Sequence, residues 1–244
     1  MNIIREIKHF FQRRKALNQI FDDIKNLDEV LLNKRIEIFK EVVTPRFAEI
    51  GLTNWDGKYL WFSDFNEEGI KHVIEYNVFK VFGGSFSFGN CFENVPTISG
   101  GNKMVYHRTN RSTKIIYYKK FPGWEKSDNE NSPINIDKIS TVNEIRFRKT
   151  LSDVLVRNLP IVQGWFKNNQ TIQQNISNLI IDQKNHKPDF IQRIITFEYV
   201  LGFLFAQQKD SQSSKKWMEK HFEKKIHSEQ EMNLINNKIK EFSI

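Results

Sequence analysis

An α+β fold, with helices at both ends of a central, mainly antiparallel sheet and a C-terminal helical region, is what the residue order of this chain predicts. Three observations predict it. Apolar residues recur at helical spacing before Gly51 and again after Thr141. Between Lys58 and Phe121 they fall instead into short aromatic and β-branched blocks. The links between those blocks are short and carry Gly or Asn, which suits hairpins, because a parallel crossover needs a much longer connection.

Ile3, Ile7, Phe10 and Phe11, followed by Leu17, Ile20, Phe21 and Ile24, put one apolar stripe on one helix face. A second stripe, Leu32, Ile36, Phe39 and Val43, follows the polar NLDE break; Thr44-Pro45 reads as a cap and restart, and Gly51 as a helix stop. Strand signals then occupy 58–62, 72–82, 85–89, 102–107 and 113–121. In the second of these, Ile74, Tyr76 and Val78 alternate with Glu75 and Asn77, as in a sheet covered on one face. Gly83-Gly84, Gly100-Gly101 and the Thr109-Asn110 region mark turns, and the polar run 123–140 reads as an exposed loop.

The helical period returns with Leu151, Val154 and Leu155, a stripe that Pro160 interrupts. Thr171-Ile172-Gln173-Gln174 is a capping-box pattern opening a helix with Ile172, Ile176, Leu179 and Ile180 inside. Phe190, Ile194, Phe197, Leu201 and Leu204 form the next stripe, and Ser213 to Phe242 closes the chain with charges of mixed sign. The organisation expected is a basic helical extension over 1–28, an α+β domain over 29–206 and a charged helical extension over 207–244.

A chain of 244 residues with 39% hydrophobic and 13% aromatic content, including 21 Phe, has the volume to close a core. Its mean hydropathy is −0.55, and its apolar runs stop far short of the roughly 20 residues of a spanning helix, so a cytoplasmic protein with no membrane partner is expected. The only cysteine, Cys91, offers no internal disulfide and no Cys-based metal cluster, and is expected as a buried, inert thiol. The net charge of +8 is concentrated in two zones. Residues 101–126 hold Lys103, Arg108, Arg111, Lys114, Lys119, Lys120 and Lys126 against Glu125, and residues 1–15 hold Arg5, Lys8, Arg13, Arg14 and Lys15 against Glu6. Such zones attract anionic groups over distances that salt shortens; the alternative reading is solubility alone.

The familiar catalytic spacings are missing. There is no GxxxxGK[ST] or GxGxxG phosphate cradle, the closest being Gly83 to Gly89 between strands, and no GxSxG elbow. The six histidines show no HExxH or paired-ligand spacing, so neither a metal nor another cofactor is expected. One constellation remains. From Tyr106 to Lys114 the chain sets His107, Arg108, Thr109, Arg111, Ser112, Thr113 and Lys114 in or beside one tight connection. Guanidinium forks bind carboxylate or phosphate through paired hydrogen bonds, and hydroxyls complete an oxyanion shell. The other reading is a well-made turn, with Thr109, Ser112 and Thr113 satisfying its amides, the arginines paired with surface acids and His107 packed at a strand end. His107 as a general base would need an acid partner that the sequence does not identify. Tyr117, Tyr118, Phe86, Phe88 and Trp124 near these cations suggest base stacking, but there is no RNP-like pattern, and sheet aromatics more often fill cores.

The segment Phe47 to Leu52, the strand Tyr59 to Phe62, the strands around Asn77 to Phe92, the YHRT stretch at Tyr106 to Thr109 and the late helix VLGFLFAQQKD together resemble the bacterial domain-of-unknown-function family 4304, over roughly residues 30–222. Members of that family resemble immunity or accessory proteins of bacterial conflict systems. The resemblance implies a cytoplasmic, non-catalytic binding protein and supplies no catalytic residue; the basic N-terminal and charged C-terminal helices depart from the short family form. The expectation is an interaction protein that meets an acidic protein partner through Tyr106, His107, Arg108, Thr109, Arg111, Ser112 and Lys114. Nucleic-acid binding is the second reading, and an enzyme using His107 the third.

Overall fold

The structure, a computed structural model, describes residues 28–80, 82–129, 134–185, 195–224 and 227–243. The stripe from Ile3 to Ile24, the basic zone of residues 1–15, and Phe190 and Ile194 lie outside them.

The architecture is α+β. Strands β1 (Asn54–Trp55), β2 (Leu60–Phe62), β3 (Ile70–Phe79), β4 (Gly83–Phe92) and β7 (Tyr117–Lys120) form a sheet in the order β1-β2-β3-β4-β7, and β8 (Ile139–Ser140) pairs with β4. The β1–β2, β2–β3 and β4–β8 pairings are antiparallel, with Trp61 opposite Ile74 and Gly84 opposite Ile139. A separate hairpin joins β5 (Thr97–Ser99) and β6 (Lys103–Val105). Its turn needs left-handed backbone at Gly100 (φ 60°) and Gly101 (φ 73°), the conformation glycine reaches without penalty.

Helices precede and follow the sheet. They are α1 (Leu32–Ile38), α2 (Thr44–Ala48), α3 (Pro122–Asn129), α4 (Glu144–Lys167), α5 (Ile172–Asn185), α6 (Phe197–Gln207), α7 (Ser211–Lys224) and α8 (Glu229–Ser243). The capping box of α5 forms as its sequence predicts: the Gln174 amide donates to Thr171 Oγ1 and the Thr171 amide to Gln174 Oε1, each at 3.1 Å. No described helix is long and apolar enough to cross a membrane.

The chain divides into two compact units, and β3 and β4 contribute residues to both. In the first unit (1–46, 76–87 and 120–160), Phe39 meets Tyr76 at 4.9 Å and Phe147 at 5.6 Å between ring centroids, and Phe86 meets Phe121 at 5.4 Å. Asp137, 1% exposed, anchors this unit by accepting from the Gly123 amide (2.6 Å), Asn158 Nδ2 (2.9 Å) and Arg157 Nη2 (3.2 Å). In the second unit (47–75, 88–119 and 161–244), α6 is buried along its length and packs with Ile70, Phe92, Val95, Tyr117, Ile176 and Ile235. A buried polar knot ties β4 to the turn before α5. Asn90 donates to the Asn169 carbonyl (3.1 Å) and to Asn175 Oδ1 (2.7 Å), while its own Oδ1 accepts from His72 Nδ1 at 2.8 Å.

Four local expectations are corrected. Gly83-Gly84 is not a turn but the start of β4: a Cβ on Gly84 would lie 2.3 Å from the Tyr76 ring, so glycine serves close approach there. Thr44 does not cap a restarted helix. A π-helical stretch, Phe39–Val43, bridges α1 and α2, and the Thr44 hydroxyl donates to the Phe39 carbonyl at 3.3 Å. Such a widened turn precedes Pro45, whose ring would clash with a regular helical carbonyl. Pro160 does not end a helix either; α4 runs through it with buried side chains on both sides, including Leu155 and Val162. The polar run 123–140 is no simple loop, because it holds most of α3 as well as β8, with the Trp124 ring 5.0 Å from Phe79.

Candidate functional site

The connection from β6 to β7 is built around a short 3-10 helix, Asn110–Ser112. Thr109 caps it. The Ser112 amide donates to Thr109 Oγ1 at 3.3 Å, and the Thr109 amide donates to Ser112 Oγ at 3.1 Å, a reciprocal capping box. The Thr113 hydroxyl donates to the Thr109 carbonyl at 3.2 Å. The hydroxyls that the sequence offers as an oxyanion shell thus bond the turn's own backbone.

His107 lies under this turn, 6% exposed. Its Nδ1 is 2.7 Å from the Ser112 carbonyl, which only accepts, so Nδ1 carries the proton; Nε2 then accepts from the Thr97 hydroxyl at 3.0 Å. Burial holds its pKa below the ordinary histidine value, with the neighbouring Lys114 charge acting the same way and the Ser112 carbonyl opposing. Both nitrogens are engaged with neutral groups, and among the described residues no carboxylate bonds the ring. Cys91 is fully buried, donates to the His107 carbonyl at 3.6 Å, and has its thiol pKa pushed up to about 11 by burial.

The two arginines face outward. Arg108 is exposed, donating from Nε to the Glu93 carbonyl (3.2 Å) and from Nη2 to Asn94 Oδ1 (3.0 Å), with its guanidinium 4.4 Å from the centre of the half-buried Tyr106 ring. Arg111 is exposed on the 3-10 turn. Lys114 is half-buried; burial raises the pKa of Glu75, and the Lys114 charge offsets that only in part. Among the described residues none of these three cations has a carboxylate at ion-pairing distance; Lys119, by contrast, is paired with Asp182 at 2.8 Å. Lys120 and Lys126 belong to the first unit, where Lys120 lies 4.9 Å from the Trp124 ring. Of the aromatics considered for base stacking, Phe86, Phe88 and Tyr117 are buried, while Tyr118 and Trp124 are half-buried.

One residue escaped the sequence reading. Lys71 of β3 is only 2% exposed, and its Nζ donates to Asn110 Oδ1 and Thr113 Oγ1, both at 3.3 Å, from beneath the turn. Nothing in the alternation of β3 distinguishes it from an ordinary outward-facing lysine. Among the described residues no group of three His, Cys, Asp or Glu is arranged to hold a metal ion.

No protein-family model, curated protein or solved structure matches this chain. The resemblance to family 4304 therefore remains an expectation of the sequence.

Proposed function

We propose that the protein is a non-enzymatic interaction protein that binds an acidic protein partner through the surface formed by Tyr106, Arg108, Thr109, Arg111 and Lys114, with His107 and Ser112 shaping that surface from behind. The observation that carries this reading is the contrast between the turn's two sides. Its hydroxyls and imidazole are bonded inward to neutral groups, whereas Arg108 and Arg111 are exposed without carboxylate partners among the described residues. A general base needs an accessible nitrogen, and His107 offers none. Arg108, braced by a carbonyl, an amide oxygen and the Tyr106 ring, is positioned for a carboxylate at little entropic cost. Base stacking is less favoured, because the strand aromatics that would serve it are largely buried and Arg108 covers a face of Tyr106. The family resemblance would place the partner among toxins or subunits of bacterial conflict systems.

The test is affinity capture with the full chain over a salt series, before and after nuclease treatment, comparing wild type with the Arg108→Ala/Arg111→Ala double variant. The expected result is a protein that survives nuclease, weakens as salt rises and is lost from the folded double variant. Release by nuclease, with a steep salt dependence, would assign the surface to nucleic acid. Undiminished capture by the double variant would place the binding surface elsewhere.

A further inference from the structure

Lys71 is a buried cation without a counter-ion. Lysine is rarely buried unless it is paired, yet both acceptors of this ammonium are neutral, and no carboxylate among the described residues lies at ion-pairing distance. An ammonium has three donors, and two are used. The remaining surroundings are the rings of Phe65, 4.4 Å away, and Phe62, 5.0 Å away. The charged and titratable neighbours are few. Asp64, from the loop before β3, attracts Lys71 but accepts from Asn54 Nδ2 at 3.1 Å, and Cys91 of β4 is the other titratable group that bears on it. Burial lowers the Lys71 pKa, and the weaker attractions of Cys91 and Asp64 do not restore it.

The two groups that hold Lys71 belong to the same turn that carries Arg111 on its outside. Asn110 is exposed while Thr113 is buried, so of the two acceptors it is Asn110 that an approaching group meets first. We propose that Lys71 is the inner half of an oxyanion site whose ligand is a carboxylate of the acidic partner, held between Lys71 and the outer cations Arg108 and Arg111. The inference rests on the binding role proposed for this turn and adds the chemical class of the group that enters it. A carboxylate is the anionic group that an acidic protein partner presents, and its two oxygens can accept from an ammonium and a guanidinium at once. Charge pairing then supplies the compensation that the free chain lacks, and by linkage a bound anion raises the Lys71 pKa.

The test uses the full chain, lysine-labelled at Cε, and follows the Lys71 titration by NMR in acetate, phosphate or chloride at matched ionic strength. Acetate should raise the Lys71 pKa and the thermal midpoint relative to chloride, and Lys71→Met should abolish the rise in midpoint. Equal titrations in acetate and chloride would overturn the proposal, as would an acetate-induced rise in midpoint that persists in Lys71→Met. A larger response to phosphate than to acetate would overturn the carboxylate assignment. The wild-type titration decides the matter even where the variant fails to fold. Failure here removes the role of Lys71 while partner capture through Arg108 and Arg111 stands, and failure of capture leaves the acetate result standing.

Discussion

Removing the imidazole of His107 tests whether this residue is a pin or a catalyst. His107→Ala leaves two groups without their partner: the hydroxyl of Thr97, which is 8% exposed, and the carbonyl of the half-buried Ser112. Each buried polar group left unsatisfied costs about 1–3 kcal/mol, so the loss should reach about 2–4 kcal/mol, with the half-buried carbonyl at the lower end. Urea unfolding followed by tryptophan fluorescence measures it. A pH series adds an independent check. Burial keeps the folded-state pKa of His107, and of His72, below the unfolded value, so the unfolded chain binds protons first as pH falls. The contribution of these residues to stability is therefore complete above about pH 6.5 and declines as pH drops below it. His107→Gln should flatten that decline, leaving the share due to His72. A cost below about 1 kcal/mol, or an unchanged pH slope in the Gln variant, would refute the reasoning.

Three further outcomes follow from the packing. Asp137→Ala strips the buried acceptor from Gly123, Arg157 and Asn158; the exposed Arg157 keeps the Ile136 carbonyl and Asn158 the Val154 carbonyl, so the cost in urea unfolding should be about 1–3 kcal/mol, set mainly by the Gly123 amide left unsatisfied. Gly89→Ala places a Cβ 1.8 Å from the Tyr117 carbonyl oxygen, so it should destabilise by at least the upper end of about 1–3 kcal/mol for overpacking; a near-neutral value would contradict the β4–β7 approach. Cys91 should resist an aromatic disulfide reagent at neutral pH in the native protein and react readily in urea, because its thiol is fully buried with a pKa of about 11; fast native labelling would contradict that placement.

Much of the fold is legible where a single physical effect dominates. The apolar run of α6, the Thr171–Gln174 capping box and the Gly100–Gly101 turn each follow from local chemistry, and the structure forms each of them. The misreadings share a cause in distant partners. Gly83-Gly84 carries a turn signature, but the Tyr76 ring decides its use. β4 is buried from Gly83 to Phe92 and so lacks the alternation that would reveal its length. Asp137 fixes Gly123, near the start of α3, from outside that helix, and Pro160 is tolerated because packing on both sides outweighs one missing hydrogen bond. In the candidate site, the polar cluster from Tyr106 to Lys114 stands out by composition. Its division into inward-bonded hydroxyls and outward guanidinium groups depends on the 3-10 turn, and the burial of Lys71 depends on Asn110 and Thr113, far along the chain.

Hydrogen exchange with an acidic probe tests the binding surface most directly. A decaglutamate peptide, added to the full chain at low salt, should slow the amides between Arg108 and Lys114 in wild type and leave them unchanged in Arg108→Ala/Arg111→Ala. Slowing at some other surface, to the same extent in both proteins, would contradict the assignment of this turn as the place where an acidic partner docks.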